Sequence, residues 1–169
     1  MLALVALVFG VAACGHTSDH KEVVEGEPVE LGELSYNVIF SRFLNPDDNE
    51  DSGYLVGQPQ AQPGSAYFGI FLEVQNESKE TQALADSFTI IDADHQKFEA
   101  IPSQSLFAFP LGGRVEPEEQ IPVLDSTPQQ GPLEGSLVTF LLPASASENR
   151  PLILEIPGHE GPAEVTLDL

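Results

Sequence analysis

Apolar positions recur with a period of two through most of this chain, most sharply over residues 66–76. There Ala66, Phe68, Ile70, Leu72 and Val74 fall on one side. Tyr67, Gly69, Phe71, Glu73 and Gln75 fall on the other, as in a strand with one face on a core. Residues 34–43 alternate likewise, with Leu34, Tyr36, Val38 and Phe40 set against Ser35, Asn37 and Ser41, and Ile39 breaking the pattern. Residues 87–91 and 97–101 read as two short strands joined by a hairpin over 92–96. Residues 105–109 add an edge segment stopped by Pro110. Residues 118–124 read as an edge strand, because Pro122 has no N–H to donate to a ladder. Residues 134–142 form a strongly apolar, β-branched strand ended by Pro143, and residues 152–156 and 163–169 pair around a turn over 157–162.

No stretch sustains a helical period, and 14 Gly and 14 Pro punctuate the chain at short intervals. The expected fold is therefore all-β: an immunoglobulin-like antiparallel β-sandwich. Its core is expected to hold Phe68, Ile70, Leu72, Val74, Val138, Phe140, Leu142, Ile153 and Ile156. Residues 45–65, acidic at their start and Pro/Gln-rich at their end, are too long for an ordinary connection and read as a disordered insertion in a solvated loop.

The N-terminus carries a different pattern. Residues 1–13 are apolar and uncharged, and Val11-Ala12-Ala13-Cys14 reads as a lipobox. Two small residues before the cysteine let an extended backbone enter a signal peptidase, and the thiol then becomes the thioether that carries acyl chains. Thirteen apolar residues are too few to cross a bilayer, which takes about 20. The reading is a lipoprotein signal over residues 1–13, followed by a lipidated Cys14 and a disordered acidic tether over 14–33. That tether has five glutamates between Glu22 and Glu33 and no aromatic residue, too little apolar area to offset its ordering entropy. The sandwich is then expected over 34–169, on the extracytoplasmic face of a cell membrane.

Charge narrows the partners. Six basic and 27 acidic residues give a net charge of −21. Such a surface repels nucleic acid and anionic headgroups. Cys14 is the only cysteine, so no internal disulfide is expected, and acylation leaves no thiol for redox chemistry.

The order of several motifs resembles a family. These are the strand Tyr67–Asn76 followed by Glu77 and Ser78, the strand-and-hairpin run from Phe88 to Phe98, the Pro117-Glu118-Glu119 segment, and the late strand from Gly135 to Pro143. Together they resemble the telokin-like, immunoprotective-extracellular-type domain of unknown function found in Gram-positive bacterial lipoproteins. This chain departs from the family pattern at His95, where a glycine is usual, and in the long spacer between Glu119 and the late strand. The resemblance implies an extracytoplasmic immunoglobulin-like sandwich and no catalytic residue.

Candidate chemistry is thin. Asp47, Asn49 and Asp51 supply the first three ligands of an EF-hand-like calcium loop. The pattern then fails, with glycine one place late at Gly53 and Gln58 where a bidentate Glu belongs. His16 and His20 are four apart around Asp19 but fall in the tether, and His95 and His159 fall in separate turns. There is no Gly-x-Ser-x-Gly elbow, and no Trp for a sugar platform. The expectation is a non-enzymatic surface module with no catalytic residue, metal or cofactor, anchored at Cys14. It would bind a protein partner or small ligand through loops at one end of the sandwich, with residues 45–65 as the candidate partner-binding loop. The alternative is an extracytoplasmic calcium-handling protein or a carboxylate-based hydrolase.

Overall fold

The structure, a computed structural model, describes residues 21–169. Twelve strands dominate these residues: β1 (Lys21–Val24), β2 (Pro28–Leu31), β3 (Leu34–Leu44), β4 (Ser65–Asn76), β5 (Gln82–Ala83), β6 (Thr89–Ile91), β7 (Lys97–Glu99), β8 (Arg114–Val115), β9 (Gln120–Ile121), β10 (Ser136–Pro143), β11 (Ile153–Ile156) and β12 (Ala163–Thr166). One helix, α1 (Asn49–Tyr54), and a 3-10 turn over Ala144–Glu148 complete them. One sheet runs β1-β12-β11-β6-β7 and the other β10-β4-β3-β2, with β9 pairing β4 beyond the end of β10. A small β5-β8 ribbon lies apart from both. All pairings between these strands are antiparallel except β1 with β12, which runs parallel from Lys21 beside Ala163 to Val24 beside Thr166.

The two sheets enclose one large core of Phe68, Ile70, Leu72, Val74, Phe88, Ile90, Phe140, Leu154 and their neighbours. The expected sandwich and most of its expected core are thus observed. Ile153 is the exception: it is only half-buried, while Leu152, Leu154 and Ile156 are buried. Period-two geometry requires this, since Ile153 and Ile156 are three apart and cannot share a strand face. The break at Ile39 is also real. A β-bulge between Val38 and Phe40 turns the strand over, so that Val38 packs inward and Phe40 lies against Phe71, 6.5 Å between ring centres, on the opposite face. The expected strand over 118–124 shortens to two residues, Gln120–Ile121, ending at Pro122, which has no N–H to donate to a ladder.

Two expectations are overturned. Residues 21–33 are not a disordered tether. β1 and β2 join the edges of the two sheets, with Val29 buried and Val23 and Leu31 packed on the core. The turn between them is fixed by Glu25, whose carboxylate accepts from Ser41 N (3.1 Å), Ser41 Oγ (2.5 Å) and Asp168 N (3.1 Å). These short strands bring little apolar area of their own, and their ordering comes from partners distant in sequence. The sandwich therefore starts by Lys21; residues 14–20 of the expected tether, and Cys14, His16 and His20, lie outside the described residues.

Residues 45–65 are not a disordered insertion either. Asp48 caps α1, its Oδ1 accepting from Glu50 N (2.8 Å) and Asp51 N (3.3 Å), which satisfies donors that a helix start leaves unpaired. The helix buries Tyr54 and Asp51. Tyr54 meets Phe71 and Phe107 edge-on at 5.1 and 4.9 Å. With Leu44, Leu55, Tyr67 and Leu137 these side chains form a second core on the outer face of the β10-β4-β3 sheet. This is why Tyr67 and Phe71, expected on an open face, are buried.

Candidate functional site

Strand registers separate the two ends of the sandwich. At one end lie Leu34, Asn76, Ser136, Ile156 and Ala163; at the other lie Leu44, Ser65, Pro143 and Ile153. The first end holds a cleft of about 430 Å³, within the ~300–1,000 Å³ typical of small-molecule sites. Four segments meet there: the β2–β3 turn, the Ala83–Asp86 stretch, Gly112, and the β11–β12 turn through Pro157, Gly158 and His159.

Leu31, Leu34 and Leu84 supply apolar wall, and Tyr36 joins it from the core side of β3. The Tyr36 hydroxyl accepts from Ala85 N at 2.9 Å. Burial pushes the phenol's pKa up, and the hydrogen bond from Ala85 opposes this in part, so Tyr36 is a neutral, fixed element of the wall. Gly112 N donates to Ala85 O (2.9 Å) and Leu84 N to Gly113 O (3.0 Å), stitching the Ala83–Asp86 stretch to the Gly112–Gly113 turn. Gly112 has φ +64, a left-handed conformation that glycine adopts without strain, and a Cβ there would sit 3.4 Å from Asp86 Cβ. Gly158 is much tighter, since a Cβ would fall 2.6 Å from Gly161 O and 2.7 Å from Leu31 Cδ2. Asp86 and His159 are exposed at the cleft. The result is an open cleft of mixed lining, with leucines along one wall and a carboxylate and an imidazole exposed at its lip. That chemistry suits a small amphipathic molecule with a hydrogen-bond donor or positive charge.

The sequence-selected acidic loop does something else. Asp51 is 2% exposed, and both its carboxylate oxygens are held by the Arg42 guanidinium, while Oδ2 also accepts Asn45 N (2.6 Å). Of the acidic loop's side chains, Asp51 fastens α1 to β3 and Asp48 caps the helix, while Asp47 and Asn49 stand exposed. The hydrogen bond from Arg42 to Asp51 also holds the guanidinium's pKa above its ordinary value. Among the described residues no group of three or more His, Cys, Asp or Glu side chains converges to hold a metal. His95 sits in its hairpin at φ +61, where glycine would be the unstrained choice. Asp92 Oδ1 accepts from Asp94 N and Gln96 N (3.0 and 2.9 Å) and organises that turn. His159 reaches the cleft, and Tyr36 and Asp86 were not singled out by sequence. Tyr36 looked like one more alternating core residue, and nothing local marks its contact with Ala85.

No family model matches the chain, and no curated protein matches it. Solved structures do. An uncharacterized β-sandwich protein from Clostridium difficile is 16% identical, with 88% of this chain and 94% of that one covered at a TM-score of 0.54. The yjhA protein from Bacillus subtilis is 13% identical over 88% of this chain and 99% of that one, at 0.57. MPT63, a secreted protein from Mycobacterium tuberculosis, is 11% identical over 87% and 97%, at 0.51. At such identities the likeness speaks for the fold, and the fold this chain shares with them is the β-sandwich.

Proposed function

We propose that this chain is a lipid-anchored, extracytoplasmic, non-enzymatic β-sandwich module that binds a small ligand or a partner at the cleft end of the sandwich. The observation that carries the reading is the cleft itself: loops from both sheets converge on a cleft walled in part by leucines, with Asp86 and His159 at its lip. The run ending in Val11-Ala12-Ala13-Cys14 supports the anchor. The description of the Mycobacterium tuberculosis neighbour as secreted is in keeping with an extracytoplasmic place. The motif order from Tyr67 to Pro143 favours the telokin-like family of Gram-positive lipoproteins.

Two measurements test this. Cys14→Ser should release the protein from membranes or leave the precursor uncleaved; a mature-sized, membrane-bound variant refutes the anchor. Photo-cross-linking residues placed at Asp86 and His159 should capture a species from whole cells that the same residue at Glu148, at the opposite end, does not. Equal capture at both ends refutes the cleft.

A further inference from the structure

We infer that the cleft end of the sandwich faces the bilayer and that the gap there admits a small ligand or a single extended segment but not a folded protein. The inference rests on the anchor reading of Cys14 and adds an orientation and an occupant size to it. Lys21 is paired with Ala163, the first residue of β12, and so lies at the end that carries the β11–β12 turn. That turn contributes Pro157, Gly158 and His159 to the cleft, and Gly158 packs against Leu31 of the facing sheet. The chain thus enters the domain beside the cleft mouth, held there by Lys21 Nζ donating to Glu30 O (2.5 Å).

Six residues lie between Cys14 and Lys21, which makes seven Cα–Cα steps. Whatever their conformation they reach at most about 25 Å at ~3.6 Å per residue. The β4 strand spans 12 residues, roughly 36 Å at ~3.3 Å per residue, so the opposite end of the sandwich stands that much farther out. A folded domain of about 100 residues has a radius of gyration of about 13 Å and is over ~30 Å across. It does not fit between the cleft mouth and a membrane held that close. Tipping the sandwich onto its side would open the mouth, but would lay a body of net charge −21 along anionic headgroups, and repulsion within a Debye length of about 8 Å opposes that. Upright, only the cleft end approaches the lipid.

The chain has no Trp and a single Cys, so both probes can be placed singly. Glu160→Trp marks the cleft end and Glu148→Trp the opposite end; both positions are exposed. The chain beginning at Cys14, which keeps every described residue, is coupled through that thiol to maleimide lipid in vesicles containing phosphatidylglycerol and a dansyl headgroup acceptor. Energy transfer should be several-fold stronger from position 160 than from 148, and the contrast should shrink in high salt. Equal or reversed transfer overturns the orientation while leaving the anchor intact. In the natively expressed protein, absence of acyl mass on Cys14 overturns the anchor and the orientation with it. Where Cys14 is acylated, Glu160→Cys and Glu148→Cys each add the only free thiol. A small maleimide should label both alike, and a maleimide carried on a folded protein should label 160 several-fold more slowly. Equal labelling by the carrier overturns the size limit.

Discussion

Replacing Tyr54 with Ala tests whether the outer layer on the β10-β4-β3 sheet is a true core. Tyr54 is 1% exposed and meets Phe71 and Phe107 edge-on. Its hydroxyl makes only a long, 3.4 Å bond to Glu50, so the loss is dominated by the ring. Truncating a buried aromatic to Ala costs about 3–5 kcal/mol, cavity included. The site lies under a short helix and a loop that can partly settle, which favours the lower half, about 3–4 kcal/mol. In a domain of this size each kcal/mol moves Tm by about 2–4 °C, so a fall of roughly 6–16 °C is expected. Urea unfolding followed by far-ultraviolet circular dichroism reads the free energy, with Leu72→Ala in the inner core as the yardstick at about 2–5 kcal/mol. A loss for Tyr54→Ala below about 1 kcal/mol at unchanged m-value would refute the second core. Exchanging residues 46–64 for a Gly/Ser turn should then cost more than Tyr54→Ala, because it uncovers Tyr67, Phe71 and Leu137 together.

Arg42→Leu leaves the Asp51 carboxylate buried without its cation and should cost about 3 kcal/mol in the same assay, with Asp51→Leu in that background restoring part of the loss. Glu73 has a carboxyl pKa raised above 4.5, by burial first and the neighbouring Glu134 second. Its contribution is therefore full below pH 4.5 and lost as pH rises through the higher folded value. Glu73→Gln should raise Tm at pH 7 and leave it unchanged at pH 3; the opposite pattern refutes the assignment. The Tyr54 hydroxyl is pushed up to about 12, chiefly by burial and then by Glu50. Wild-type stability should then fall as pH rises from about 10 through 12, and Tyr54→Phe should flatten that alkaline limb in a pH series of urea melts.

The strands were legible where burial is one-sided and local. Along β4 the alternation of Phe68, Ile70, Leu72 and Val74 states the core face outright. It could not state that Tyr67 and Phe71 are also covered, because their cover comes from α1 and from Phe107, and period-two patterning carries no information about which loop folds over a sheet. The acidic β1 and β2 misled for the same reason. Their Glu-rich composition is what an exposed edge strand and a disordered segment share, and the difference lies in partners more than a hundred residues away for β1 and in the Glu25 contacts to Ser41 and Asp168. At Asp47–Asp51 the spacing itself broke the calcium pattern at Gly53 and Gln58, but it could not reveal that Arg42 occupies the Asp51 carboxylate or that the neighbouring Asp48 caps a helix. The cleft was legible only as a rule about where sandwich loops gather; Tyr36 and Ala85, 49 residues apart, meet through topology alone.

The parallel pairing of β1 with β12 also sets how this domain would bear mechanical tension. Lys21 sits at the cleft end, while β12 runs away from that end and leads to Leu169 at the other. A force drawing Lys21 and Leu169 apart therefore slides β1 and β12 past each other along their length. Every hydrogen bond of the four-residue ladder is strained at once, and Glu25, tied to Ser41 and to Asp168 next to the C-terminus, resists the same displacement. Peeling the strand sideways would break those bonds one at a time and need far less force. Rupture under load follows the unfolding rate rather than the equilibrium stability. The small polar patch that joins first strand to last thus governs how long the sandwich survives a sustained pull, out of proportion to the apolar area it buries.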